Sequence, residues 1–291
     1  MIWLVLISAA IIIFAAENIL DKFIVYKELK DPLLLTVVFG LVLYIFYILF
    51  AVFFGSVFLP LNLALLGIIA GALATAGIAL YYYIMQKEEV STFVTILALE
   101  PLVVTLVSFF LFRERLTAFD YVGIVLLVSG AILISHKKQR SSAKTRLLIL
   151  SFLAMFIFSV RNIIFKYEAA AGAQNAVFFW FGLGGLIVAA VLYAIHHPHI
   201  RARAKRGAKH VAMLAVLGAF GLLFFTKAIA VGSVSLTTAF LSAKPLVVLI
   251  MVAVLSSFRP KIVSEKFSRV ELIKKISAGA LIVAGCGMIV L

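Results

Sequence analysis

The sequence predicts an all-α integral membrane protein: ten transmembrane helices arranged as two inverted five-helix repeats. Three observations predict it: an apolar composition, ten apolar runs of spanning length, and self-similarity at one fixed spacing. Of 291 residues, 65% are hydrophobic and 13% charged, with a mean hydropathy of +1.22. Soluble domains are nearer half apolar and a quarter charged. The net charge of +14 falls in short segments between apolar runs, which suits a positive-inside bias and not a nucleic-acid footprint.

A bilayer core of about 30 Å needs roughly 20 apolar residues per helix. Such runs cover residues 2–21, 33–54, 61–86, 91–112, 119–135, 146–167, 175–195, 209–231, 234–257 and 270–291. All are too long for strands and lack period-2 alternation. The first run carries Glu17, Asn18 and Asp21, has no basic segment before it, and is expected to be retained rather than cleaved as a signal peptide. The third ends in Tyr81, Tyr82, Tyr83 and Gln86, expected in an interfacial aromatic belt. The fourth holds Glu100 before Pro101, the sixth Arg161 and Asn162, the eighth Lys227, and the ninth Lys244 before Pro245. Cys286, alone in the tenth, excludes a disulfide framework and reads as a packing residue.

An offset of 144 aligns the two halves. Ile13, Phe14, Asn18, Ile19 and Lys22 meet Ile157, Phe158, Asn162, Ile163 and Lys166; Gly77 meets Gly221. Val90 to Val104 and Val234 to Val248 share seven identities in fifteen. The units are therefore 1–140 and 145–291. Five is odd, so the second unit starts on the opposite face and is inverted. Inverted repeats are a transporter architecture, with a site near the midplane between the halves.

The odd-numbered connections hold 20 Lys and Arg residues, whereas the even ones hold only Arg113 and Arg115. The positive-inside rule makes the odd connections cytoplasmic and both termini external, in a multi-pass protein of the cell membrane.

The doubled unit and the stretch from Glu100 to Ile134, with its helix-four proline, its Arg113–Glu114–Arg115 turn and its glycine-containing fifth helix, resemble the drug/metabolite transporter superfamily, specifically EamA-type ten-helix members. The resemblance covers the whole chain. The second copy departs from the family pattern in its enlarged loop with Ser264, Glu265 and Lys266. The resemblance implies a central cavity lined by helices 1–4 and 6–9, helices 5 and 10 being peripheral. It also implies transport of metabolites; members handle amino acids, nucleotide sugars, sugar phosphates and lipophilic cations. A basic residue on helix nine and a proton-carrying glutamate on helix one occur among relatives, which points to Lys244 and Glu17.

Ionisable groups at mid-membrane cost roughly 2.5–3.5 kcal/mol each by insertion scales and usually face a cavity or a partner. The deep set is Glu17 and Glu100 against Arg161, Lys227 and Lys244, with Asn18, Asn162, Tyr83 and Thr237 as polar companions. Each proline removes a helical hydrogen bond, so free carbonyls are expected near Ile96, Leu97, Phe240 and Leu241. Glu17 and Arg161 are repeat equivalents of opposite sign, and Arg161 is expected to hold Glu17 ionised. A structural alternative is that these charges are buried pairs joining the halves. Three cations against two anions favour an anionic or zwitterionic solute, such as an amino acid or a phosphorylated metabolite.

His196, His197, His199 and His210 lie in a basic segment with no carboxylate or thiol in it, so lipid head groups are expected there and no metal. No phosphate loop, catalytic triad or HExxH motif occurs. The expectation is a secondary transporter without cofactor, working on a small-molecule substrate among membrane lipids, with protons as candidate coupling ion, as monomer or homodimer. A lipid-precursor flippase and, from another class, a membrane enzyme or scaffold are the alternatives.

Overall fold

The computed structural model describes residues 2–27, 31–55, 57–87, 93, 96–135, 145–173, 175–196, 202–258 and 269–290. Among these residues the regular structure is helical: α1 (Ile2–Lys27), α2 (Pro32–Phe54), α3 (Leu61–Lys87), α4 (Glu100–Leu111), α5 (Ala118–Ser135), α6 (Thr145–Ala170), α7 (Val177–His196), α8 (Ala202–Val231), α9 (Val234–Leu241), α10 (Lys244–Phe258) and α11 (Arg269–Val290). Eight described segments are long and apolar enough to cross a membrane, and α9 with α10 forms one of them; α4 and α5 are shorter apolar helices. The protein is thus a multi-pass, all-α membrane protein. Exposed Leu49 and Phe53 on α2, Phe109 and Phe110 on α4, and Phe152 and Phe156 on α6 give the outside the apolar face that lipid requires.

Helix ends are set locally. Asp31 caps α2 by accepting from the Leu33 and Leu34 amides at 3.0 and 3.2 Å, with Pro32 in the first turn. Thr117 and Asp120 cap α5 reciprocally. Gly172, at φ +80°, ends α6 in the left-handed region. The eighth run begins earlier than its apolar core suggests, at Ala202 instead of 209. Lys and Arg are good helix formers, so its basic start continues the helix.

The even-numbered connections meet at one end. Asn175 donates to the Phe54 carbonyl (3.4 Å), Trp180 to that of Val57 (2.9 Å), and Glu114 accepts from Ser233 (2.8 Å). At the opposite end His196 bonds Asp31 at 2.7 Å. The histidine segment therefore does engage a carboxylate, one supplied by another connection. His197 and His199 lie outside the described residues.

Glycines let the bundle close. A Cβ on Gly71 would collide with the Phe181 carbonyl, and one on Gly184 with that of Ile68, so α3 and α7 touch backbone to backbone. α2 and α7 run antiparallel, with Tyr44 on Phe181 (5.6 Å between rings) and Tyr47 stacked on Phe178 (5.0 Å). α5 and α11 are also antiparallel, with Gly123 against Gly285 and Gly130 against Ala278. α11 packs chiefly on α5, so this pair stands beside the rest of the bundle.

Packing between the two halves is reciprocal. Gly77 of α3 receives Phe158 and Ile157 of α6, while Gly221 of α8 receives Phe14 and Ile13 of α1.

Candidate functional site

The ninth crossing breaks halfway. α9 starts at the Ser233 cap, whose hydroxyl accepts from Leu236 at 3.2 Å, and its eight residues carry it about 12 Å inward. Pro245 cannot donate an amide to the preceding turn, so the chain tightens into i→i+3 bonds: Ser242 to Ala239 (3.0 Å) and Ala243 to Phe240 (2.9 Å). The fourth crossing does the same ahead of Pro101, with Leu99 on Ile96 and Leu102 on Leu99, both at 3.0 Å. The carbonyls of Ile96 and Phe240, expected free, are thus occupied. What the breaks supply is position: Glu100 begins α4 and Lys244 begins α10, each partway along its crossing.

Around these two residues the charged side chains gather. Glu100 accepts from Asn162 Nδ2 at 2.7 Å. Asn162, fully buried, takes Arg161 Nε and Nη2 on its oxygen at 3.1 and 2.9 Å. The guanidinium lies 4.9 Å from the Phe158 ring centroid. Lys244 feels the charges of Glu17, Glu100 and Asp21, while Glu17 is pressed onto Gly218, where a Cβ would stand 2.8 Å from Oε1. Asp21 accepts from Tyr81 (3.2 Å) and Tyr82 (3.3 Å). Glu17, Glu100, Arg161 and Lys244 are each half-buried, and all lie within the apolar spans. Charges within apolar spans usually face a cavity or a partner.

Several expectations change. Glu17 faces Asp21 and Lys244, and Arg161 is engaged with Asn162 and the charge of Glu100, so the repeat-equivalent pair do not hold each other. Lys227 bonds Asn175 one turn from the end of α8, outside the central group. Thr237 is fully buried and its hydroxyl goes to the Ser233 carbonyl at 2.7 Å. Tyr83 packs beside Ile84, Met85 and Phe93, and Asn18 is half-buried. Tyr82 is interior, edge-on to Phe39, so it belongs to the Asp21 network and not to an interfacial belt.

With Lys227 out and Asp21 in, the group holds three carboxyl groups and two cations. The charge excess behind the anionic solute is gone.

Two residues escaped the sequence reading as site candidates. Glu114 accepts from Ser233, Ser235 and the Val234 amide, holding the start of α9. Glu168 is fully buried on α6. Its spacing of seven from Arg161, which places both on one helix face, is the signal that was available.

Residues 1–136 match the profile of the EamA-like transporter family. A protein crystal structure 20% identical to this chain superposes with a TM-score of 0.75 over 98% of this chain and 96% of that one, a likeness that speaks to the fold alone. No curated protein sequence matches.

Proposed function

We propose that this chain, whose residues 1–136 match the profile of the EamA-like transporter family, is a secondary transporter of a small zwitterionic metabolite. It works by alternating access between two inverted five-helix units, 1–140 and 145–291. The observation that carries this reading is the cluster in which Glu17 and Glu100 of the first unit meet Arg161 and Lys244 of the second. A ligand bearing both an anionic and a cationic group, as an amino acid does, complements such a pair of opposed charges, whereas a purely anionic solute would add to an existing excess of carboxyl groups. The antiparallel packing of α5 on α11 and α2 on α7, and the reciprocal glycine contacts, support inverted units. Alternating access follows when such units rock about a midplane site.

A metabolite panel screened for ligand-induced thermal stabilisation, followed by counterflow in liposomes, tests this. Stabilisation by amino-acid-like solutes and their exchange is the expected result. Exclusive response to phosphorylated anions would refute the zwitterion, and transfer of a lipid-linked precursor without solute exchange would turn the reading towards a flippase.

A further inference from the structure

Glu168 is a buried ionisable group outside the central cluster. It lies in the last turn of α6, is 0% exposed, and neither carboxyl oxygen has a hydrogen-bond partner among the described residues. Its Oε1 occupies a slot that Gly67 of α3 leaves open. A Cβ on Gly67 would stand 3.3 Å from that oxygen and 2.9 Å from the Cβ of Trp180 in α7. Three helices therefore wall the group in, at the end where the even connections meet.

No described cation is turned towards it. Lys166, on the same helix, donates to the carbonyls of Ile229 (3.2 Å) and Gly232 (2.5 Å). Lys227 of α8 is held by Asn175, and Tyr167 points outward. α3 carries no ionisable residue between Leu61 and Leu80, its tyrosines lying at the far end, and α7 carries none before Tyr193. An ionised carboxylate without partners is strongly disfavoured in such a place, whereas the carboxylic acid is tolerated.

We propose that Glu168 is a proton-binding site. The carboxylate takes one H⁺ from water at the even-connection face as α3 and α7 close over α6, and returns it to that face when they part. Protonation and closure are then linked, each favouring the other. Because the proton is taken from and returned to one face, the site makes closure respond to the pH at that face without carrying protons across; its physiological role rests on the transporter reading, and it is distinct from the central carboxyl groups.

Infrared difference spectra of the full-length protein in lipid bilayers, taken between acid and alkaline pH, provide the test. Wild type should show a carboxylic-acid C=O band that Glu168→Gln lacks and Glu168→Asp shifts; the central carboxyl groups contribute equally to all three and cancel. Loss of no band in Glu168→Gln would overturn the proposal. So would a band that responds to sodium at constant pH, which would mark a metal-cation site. In liposomes with a solute found by the panel, the wild-type exchange rate should change with the pH at the even-connection face, and that change should shrink in Glu168→Gln. A pH response of full size in Glu168→Gln would overturn the linkage. Should no solute be carried while the acid band is present, the transporter reading fails and the proton site stands.

Discussion

Asn162 of α6 donates its side-chain amide to Glu100 of α4 across 2.7 Å. The same residue accepts the Arg161 guanidinium on its oxygen, so a neutral amide relays between a cation and an anion, and the anion belongs to the other half of the chain. Asn162→Leu strands a carboxylate and half a guanidinium. Losing one partner of a buried polar group costs about 1–3 kcal/mol, and Asn162→Leu should melt lower by that measure in detergent. An unchanged melting temperature would mean that the relay contributes nothing to holding the halves.

Lys244 behaves differently. Its ammonium has opposing charges around it but no hydrogen-bonded partner among the described residues. Lys244→Ala should therefore fold and melt nearly as wild type, yet lose ligand-induced stabilisation and counterflow. Collapse of the folded yield would instead assign Lys244 a structural pairing role.

The helix contacts distinguish one glycine from another. Gly71→Ala and Gly184→Ala drive a methyl group into backbone carbonyls, where overpacking costs typically 1–3 kcal/mol or more; folded yield should fall sharply. Gly287→Ala, with nothing within 4 Å of its added carbon, should stay within about 0.5 kcal/mol of wild type. Thermal melts of the three variants decide.

Glu114 fixes the start of α9, accepting from the Val234 amide at 3.0 Å and from the Ser233 and Ser235 hydroxyls at 2.8 and 2.7 Å. Glu114→Ala removes this hold, a loss comparable to a missing helix cap, about 1–2 kcal/mol. Amide hydrogen exchange at Val234 to Leu236 should rise while that of α5 stays put. Equal protection in the variant would show that Ser233 caps the helix unaided.

The crossings were legible because each must satisfy its own backbone in lipid, which forces long apolar runs. Glu100 and Lys244 were legible as a site for a similar reason, as charge beside proline at mid-run. Their partners were not. Equivalence in the repeat pointed Arg161 at Glu17, but equivalent residues need not touch, and Glu17 instead feels the charges of Asp21 and Lys244 while Arg161 bonds Asn162. Lys227 looked deep because its helix is long, yet the described end of α8 lies only four residues beyond it. Spacing along a helix gives the face, whereas depth depends on where the helix stops.

The matched seats of Phe158 on Gly77 and Phe14 on Gly221 bear on energy as much as shape. In a rocking device built this way, prying one bearing apart presses its twin together, so the work spent on one side is returned on the other. Under the proposed alternating access, the outward and inward forms are then poised close to level, as on a pan balance. A modest differential affinity of the cargo, of the order of 1–3 kcal/mol, suffices to tip it.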